Sequence, residues 1–157
     1  MSVSFRVVGL PEESFDELFE LEAEQLERRG ARRMTVDAKP GYPCRVSLAD
    51  AEVGEAVILT PYAHHDVDTP YRGSGPIFVR QGAHKATPAV DEIPEFLELR
   101  TISVRAYDDD GMMLAANVAE NGELRESIQR LFVIDRVAYL HLHNAGPGCF
   151  NCRVDRA

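Results

Sequence analysis

The sequence predicts an α+β fold: a mostly antiparallel sheet with two main helices packed on it, in a single domain. Three observations lead there. Short segments that alternate polar and apolar residues recur along the chain. Two stretches, 12–29 and 122–132, carry apolar residues at helical spacing. The resulting order, β-α-β-β-β-β-β-α-β-β, lacks the regular βαβ alternation of a parallel sheet.

Residues 3–8 alternate and read as the first strand, closed by Gly9-Leu10-Pro11. In 12–29, Phe15, Leu18, Phe19 and Leu26 share one helical face, acids crowd the first turns, and Arg28 and Arg29 precede Gly30. That charge order suits the helix dipole, and Gly suits the position after the helix. A short strand follows at 32–37, then a rigid turn at 39–43 and a segment at 44–48. Residues 56–62 read as a buried strand and 63–76 as a long polar loop, a length that in a compact domain tends to be functional or mobile. Ile77–Arg80 is a strand and 88–94 a connection. Segments 99–107 and 112–119 flank Asp108-Asp109-Asp110-Gly111, a hairpin signal. The three aspartates lack the spacing and terminal glutamate of a calcium loop. Asn121 can cap the helix 122–132, whose apolar face is Leu124, Ile128, Leu131 and Phe132. A strand at 137–143, a turn at 144–148 and a final strand at 149–154 complete the chain.

A length of 157 residues suits one domain with a real core, and 1–157 shows no repeat, linker or low-complexity tract. The net charge of −9 makes duplex nucleic acid and anionic membranes unsuitable default partners and favours a soluble, acidic protein. No apolar run approaches the roughly 20 residues that span a bilayer. The start, Met1-Ser2-Val3-Ser4-Phe5-Arg6, has no basic segment leading into an apolar one. Three cysteines make no disulfide framework, so reduced thiols in a cytoplasm are expected.

Chemistry concentrates in three places. Along 137–143, Ala138, Leu140 and Leu142 point one way and Tyr139, His141 and His143 the other. Two imidazoles at i and i+2 lie about 7 Å apart along a strand and can converge on one ion. His64, His65, Asp66 or Asp68 can supply a third ligand from the loop, making His141, His143 and His64 a candidate site for zinc or another divalent metal. The same histidines can equally be a hydrogen-bonded or solvated pair, or acid–base groups titrating near neutrality. The second place is Cys149-Phe150-Asn151-Cys152. Redox pairs of this spacing begin a helix, whereas this one follows a Gly-Pro-Gly turn in an extended segment, with its sulfurs on opposite faces. Structural thiols, a zinc site with Cys44, and a nucleophilic Cys149 beside His141 or His143 all remain open. The third is Thr69-Pro70-Tyr71-Arg72-Gly73-Ser74-Gly75-Pro76, where a guanidinium, a hydroxyl, a phenol and glycines can receive a carboxylate or phosphate. It can also be a tight turn whose Arg72 pairs with an internal acid. Arg45 and Arg105 add positive charge. Phosphate-loop, dinucleotide, GxSxG, HExxH and kinase signatures are missing.

Three functions remain. The first is a small-molecule-binding domain for a polar or anionic ligand, with Arg45, Tyr71, Arg72 and Ser74 holding it and His141, His143 and Cys149 available for catalysis. It expects 63–76 and 137–143 to meet in one pocket. The second is a metal-binding protein. The third is a non-catalytic interaction domain with an exposed apolar patch.

Segments 37–48, 68–80 and the tail from His143 to Arg156 resemble the bacterial DUF1203 family over nearly the whole chain. The resemblance supports one domain. It implies nothing about activity, since that family is named for having no known function and carries no established catalytic residues.

Overall fold

In a computed structural model, which describes residues 2–157, the strands assemble into two five-stranded sheets rather than one. They are β1 (Phe5–Val8), β2 (Arg32–Thr35), β3 (Pro43–Cys44), β4 (Ala49–Asp50), β5 (Ala56–His65), β6 (Gly73–Arg80), β7 (Ile102–Tyr107), β8 (Met113–Ala119), β9 (Tyr139–Asn144) and β10 (Phe150–Arg156). The first sheet runs β1-β10-β9-β7-β8 and the second β2-β5-β6-β3-β4. Neighbours are antiparallel throughout, except that β3 meets β6 in parallel at Cys44 and Phe78. The α+β expectation holds at that level.

The helices are α1 (Ala23–Arg28), α2 (Glu95–Glu98) and α3 (Leu124–Phe132). Only α3 exceeds two turns, so the expected pair of main helices is corrected to one. The predicted helix 12–29 breaks into two 3-10 pieces, Glu12–Ser14 and Asp16–Glu20, before α1. Phe15, Leu18 and Leu21 recur every third residue, which is the 3-10 period, and bonds from Phe15, Leu18 and Leu21 N–H reach back three residues. Like charges at Glu13/Glu17, Asp16/Glu20 and Glu20/Glu24 oppose a continuous α-helix. The chain restarts at Glu22, where Glu22 and Gln25 form a reciprocal capping box. The helix then ends as expected: Gly30 has φ +73°, its N–H bonds Glu27, and the Ala31 N–H bonds Leu26. Asn121 is not the cap of α3; Glu123 occupies that position.

One face of the first sheet presents Val104, Leu140, Leu142 and Val154 to Ile128 and Phe132 of α3 and to Phe96 and Leu97 of α2. Each such side chain contributes roughly 1.5–3 kcal/mol on burial. A second core joins Ile58, Ile77 and Val79 of the other sheet to Phe15, Leu18 and Leu26. Residues 63–76 are not a long loop. β5 runs on to His65 and β6 begins at Gly73, leaving a short tip. The outer half of this hairpin folds onto β9 and β10, so every residue of β9 is buried. Among the described residues no helix is long and apolar enough to cross a membrane.

Candidate functional site

Where the two sheets meet, the filling is imidazole and aromatic rings rather than aliphatic side chains. β9 sends Tyr139, His141 and His143 into this layer by strict alternation. β7 pairs with it so that Tyr107, Arg105 and Ser103 lie opposite Tyr139, His141 and His143 in turn. From the second sheet come His64 and His65. Consecutive strand residues normally face opposite ways, but the register slips between Tyr62/Gly75 and His65/Gly73. That bulge turns both imidazoles toward β9. Gly73 makes room for one of them: a Cβ there would lie 3.1 Å from His64 Nε2.

Ring centroids of His64 lie 5.1 Å from His143 and 6.1 Å from His141, which are 6.3 Å from each other. Phe150 stacks on His64 at 5.3 Å and stands edge-on to His141 at 5.0 Å. His141 and His143 are 2% and 1% exposed, so the solvated-pair reading of these residues does not hold. Burial, reinforced by neighbouring imidazoles, drives His141 down to about 2. Burial likewise brings His143 to about 4, against the opposing pull of the Gly148 carbonyl, and lowers His64. Both β9 histidines are therefore neutral at pH 7, unlike groups that titrate near neutrality.

The hydrogen bonds separate the four imidazoles. His65 uses both nitrogens: Nδ1 donates to the Tyr71 carbonyl at 2.9 Å, and Nε2 then accepts from the Tyr139 hydroxyl at 2.7 Å. His65 is thus a structural strut. His143 Nδ1 donates to the Gly148 carbonyl at 3.0 Å. His143 Nε2, His141 Nδ1 and His64 Nδ1 are buried with no partner.

A second feature lies beside this layer. A cleft of about 670 Å³ runs between β3 and β6 and the β9–β10 turn, with Arg45, Arg100, Asn144 and Cys149 among mostly apolar walls. Arg45 is 1% exposed. Its Nε donates to the Phe150 carbonyl at 2.8 Å, one terminal nitrogen to the Pro43 carbonyl at 2.6 Å, and the other to Cys149 Sγ at 3.1 Å. Among the described residues no carboxylate pairs with it, and burial works against its charge while Cys149 supports it. Arg100, by contrast, holds Asp50 through two hydrogen bonds. Asn144 also approaches Cys149 Sγ, at 3.8 Å.

The sequence-predicted residues therefore divide. His64, His141 and His143 come together. Arg45 and Cys149 come together in the cleft, where the sulfur's polar partners are Arg45 and Asn144 rather than a histidine. Tyr71, Arg72 and Ser74 sit at the exposed hairpin tip, and Arg72 is engaged by Asp66 at 3.2 Å and Asp68 at 3.4 Å. The start of 63–76 does meet strand 137–143, but through His64 and His65. Cys44 and Cys152 are buried in separate cores. Large exposed apolar residues, among them Val53, Leu99, Val118 and Val133, are spread over several elements. Sequence reading missed Asn144, Arg100 and Phe150. The approach of the tail to Arg45 is a long-range contact with no local signature.

Residues 41–156 match the model of a family described as "Protein of unknown function (DUF1203)", which spans most of the segments singled out in the sequence. No curated protein matches the chain, and no solved structure does.

Proposed function

The chain belongs to the DUF1203 family, and because that family's description assigns no activity, we propose from the site alone that it binds a small, largely apolar molecule carrying one anionic group. The molecule occupies the cleft at Arg45 and Cys149, with its anion directed at the guanidinium. One observation carries this reading: a guanidinium at 1% exposure with no carboxylate partner among the described residues. Burying an unpaired charge costs several kcal/mol, so such a group calls for an anion. The volume of about 670 Å³ lies within the range of small-ligand pockets. The apolar walls at Leu59, Phe78 and Pro147 select a hydrocarbon body.

The test is calorimetric titration of the full chain with hexanoate, benzoate and hexanol. Saturable binding of the carboxylates, at least tenfold weaker for hexanol, supports the reading. Equal binding of all three, or none, overturns it. Arg45→Gln removes the charge and weakens carboxylate binding. Should that variant fail to fold, Leu59→Trp fills the cleft from a less buried position and must abolish binding.

A second reading gives Cys149 a catalytic part, favoured by its 3.1 Å contact with Arg45. The Cys149 sulfur, held against a cation and open to the cleft, is placed to lose its proton to solvent and attack an electrophilic carbon of a bound molecule that carries a leaving group. That group departs with its electron pair as the S–C bond forms. Mass increase of the protein on turnover, absent in Cys149→Ser, is its signature.

A further inference from the structure

The geometry points to a divalent transition-metal site of three imidazoles, His64, His141 and His143, in the layer between the sheets and apart from the Arg45 cleft. Three observations converge on it. First, each of the three rings holds a buried nitrogen without any partner: Nδ1 of His64, Nδ1 of His141 and Nε2 of His143. Buried polar atoms are almost always satisfied, so three orphans in one cluster need a shared occupant.

Second, the chemistry of one nitrogen is fixed. A carbonyl oxygen only accepts, so the proton of His143 resides on Nδ1, facing Gly148. Nε2 is then a bare lone pair. A backbone carbonyl on one nitrogen is the usual support for a histidine that ligates through the other. His65, with both nitrogens used, supplies the contrast within the same layer.

Third, the three rings are close to the spacing that one ion needs. Imidazoles that ligate a common zinc-like ion tetrahedrally at about 2.0–2.1 Å place their ring centres about 5 Å apart. His64 and His143 already stand 5.1 Å apart, whereas His141 lies 6.1 Å from His64 and 6.3 Å from His143. Among the described residues no three His, Cys, Asp or Glu side chains are set to hold an ion as they stand. His141 is the ring that must close the difference, by turning toward the other two. His64 is half-buried on the outer wall, with its ring packed against Gly73. Neutral imidazoles need no deprotonation before they bind, and the set suits zinc, iron(II), cobalt or nickel rather than magnesium or calcium.

No carboxylate belongs to the set, so the loaded ion keeps its full charge. Arg105 lies opposite His141 in register and has no acidic partner among the described residues. Its charge opposes a bare cation and favours an ion whose fourth ligand is an anion.

Cobalt(II) titration of the EDTA-treated full chain, followed by visible absorption, tests the site. One equivalent with d–d bands of a nitrogen-rich site is expected. His64→Ala should weaken binding at least tenfold, and the exposed His84→Ala should leave it unchanged. His64 is the ligand least needed for folding, so the test survives if His141 or His143 variants unfold. No stoichiometric uptake by the wild type overturns the proposal, as does uptake that persists in His64→Ala. An ordered water bridging the three nitrogens in crystals grown with cobalt(II) would overturn it too. The carboxylate titrations use metal-free protein, so this site and the cleft fail independently.

Discussion

His143 Nδ1 lies 3.0 Å from the carbonyl oxygen of Gly148, so the turn after β9 fixes the tautomer of a ring that β9 itself has buried. Gly148 occupies that turn at φ +80°, a conformation side-chain-bearing residues rarely adopt. Long-range proton–nitrogen spectra should show His143 protonated at Nδ1 throughout the neutral range. An Nε2-protonated signal would contradict the assignment. Zinc should then shift the Nε2 resonance and leave that of His65 in place.

Acid should unfold the metal-free protein early. The folded values of about 2 for His141 and about 4 for His143 lie below the ordinary 6.5. The unfolded chain therefore binds more protons as pH falls through 6.5. Stability at neutral pH is unaffected by these groups. Below that, each lowers it by about 1.4 kcal/mol per pH unit, until the folded state also protonates. Urea midpoints measured from pH 7.5 to 4.5 should fall steeply, and less steeply in His143→Gln. A flat profile would mean that the rings are charged or solvated in the folded state.

Only one thiol should react in the native protein. Cys44 and Cys152 are 0% and 1% exposed, and burial pushes the Cys152 thiol up, whereas Cys149 opens on the cleft. Iodoacetamide should give a single adduct, located at Cys149 by peptide mass analysis, and three adducts in urea. A saturating carboxylate should slow the native reaction.

Asp50→Asn should have two opposite effects. It removes the partner of Arg100 from a site where Asp50 is nearly inaccessible. Breaking a buried pair costs about 3–5 kcal/mol, which thermal or urea unfolding would register. It also frees a second guanidinium at the cleft wall, so hexanoate should bind more tightly to the folded fraction. Weaker binding would place the anion away from Arg100.

Gly73→Ala tests the space beside His64. The new methyl would lie 3.1–3.2 Å from the ring edge, closer than most real contacts. A stability loss of about 1–3 kcal/mol is expected if the ring cannot move. If the ring moves instead, cobalt affinity should fall, because the methyl displaces a ligand.

How much of this was readable in the chain depends on the range of the interaction. The alternation through His141 and His143 is local, and it correctly assigned the faces of β9. The hairpin at Asp108–Gly111 was equally local and formed as expected. The stretch 12–29 misled because its apolar residues satisfy both the helical and the threefold period, and repulsion among its acids decides between them. The polar stretch 63–76 read as a loop because its composition resembles one. Pairing between β5 and β6 and cover from the first sheet make its two ends strand. That His64 and His65 face the same way follows from a one-residue bulge, which has no sequence signature of its own. The partnership of Arg45 with Phe150 and Cys149 spans more than a hundred positions and lies beyond any local pattern.

Phe150 belongs to both features at once: its carbonyl holds Arg45, and its ring lies against His64 and His141. An occupant of the cleft that draws on Arg45 therefore acts on a wall of the imidazole cluster. By thermodynamic linkage the influence is mutual, so any factor by which hexanoate changes cobalt affinity must equal the factor by which cobalt changes hexanoate affinity. Titrating each in the presence of the other measures that factor from both directions, and a value of one would mean that Phe150 separates the two sites instead of joining them.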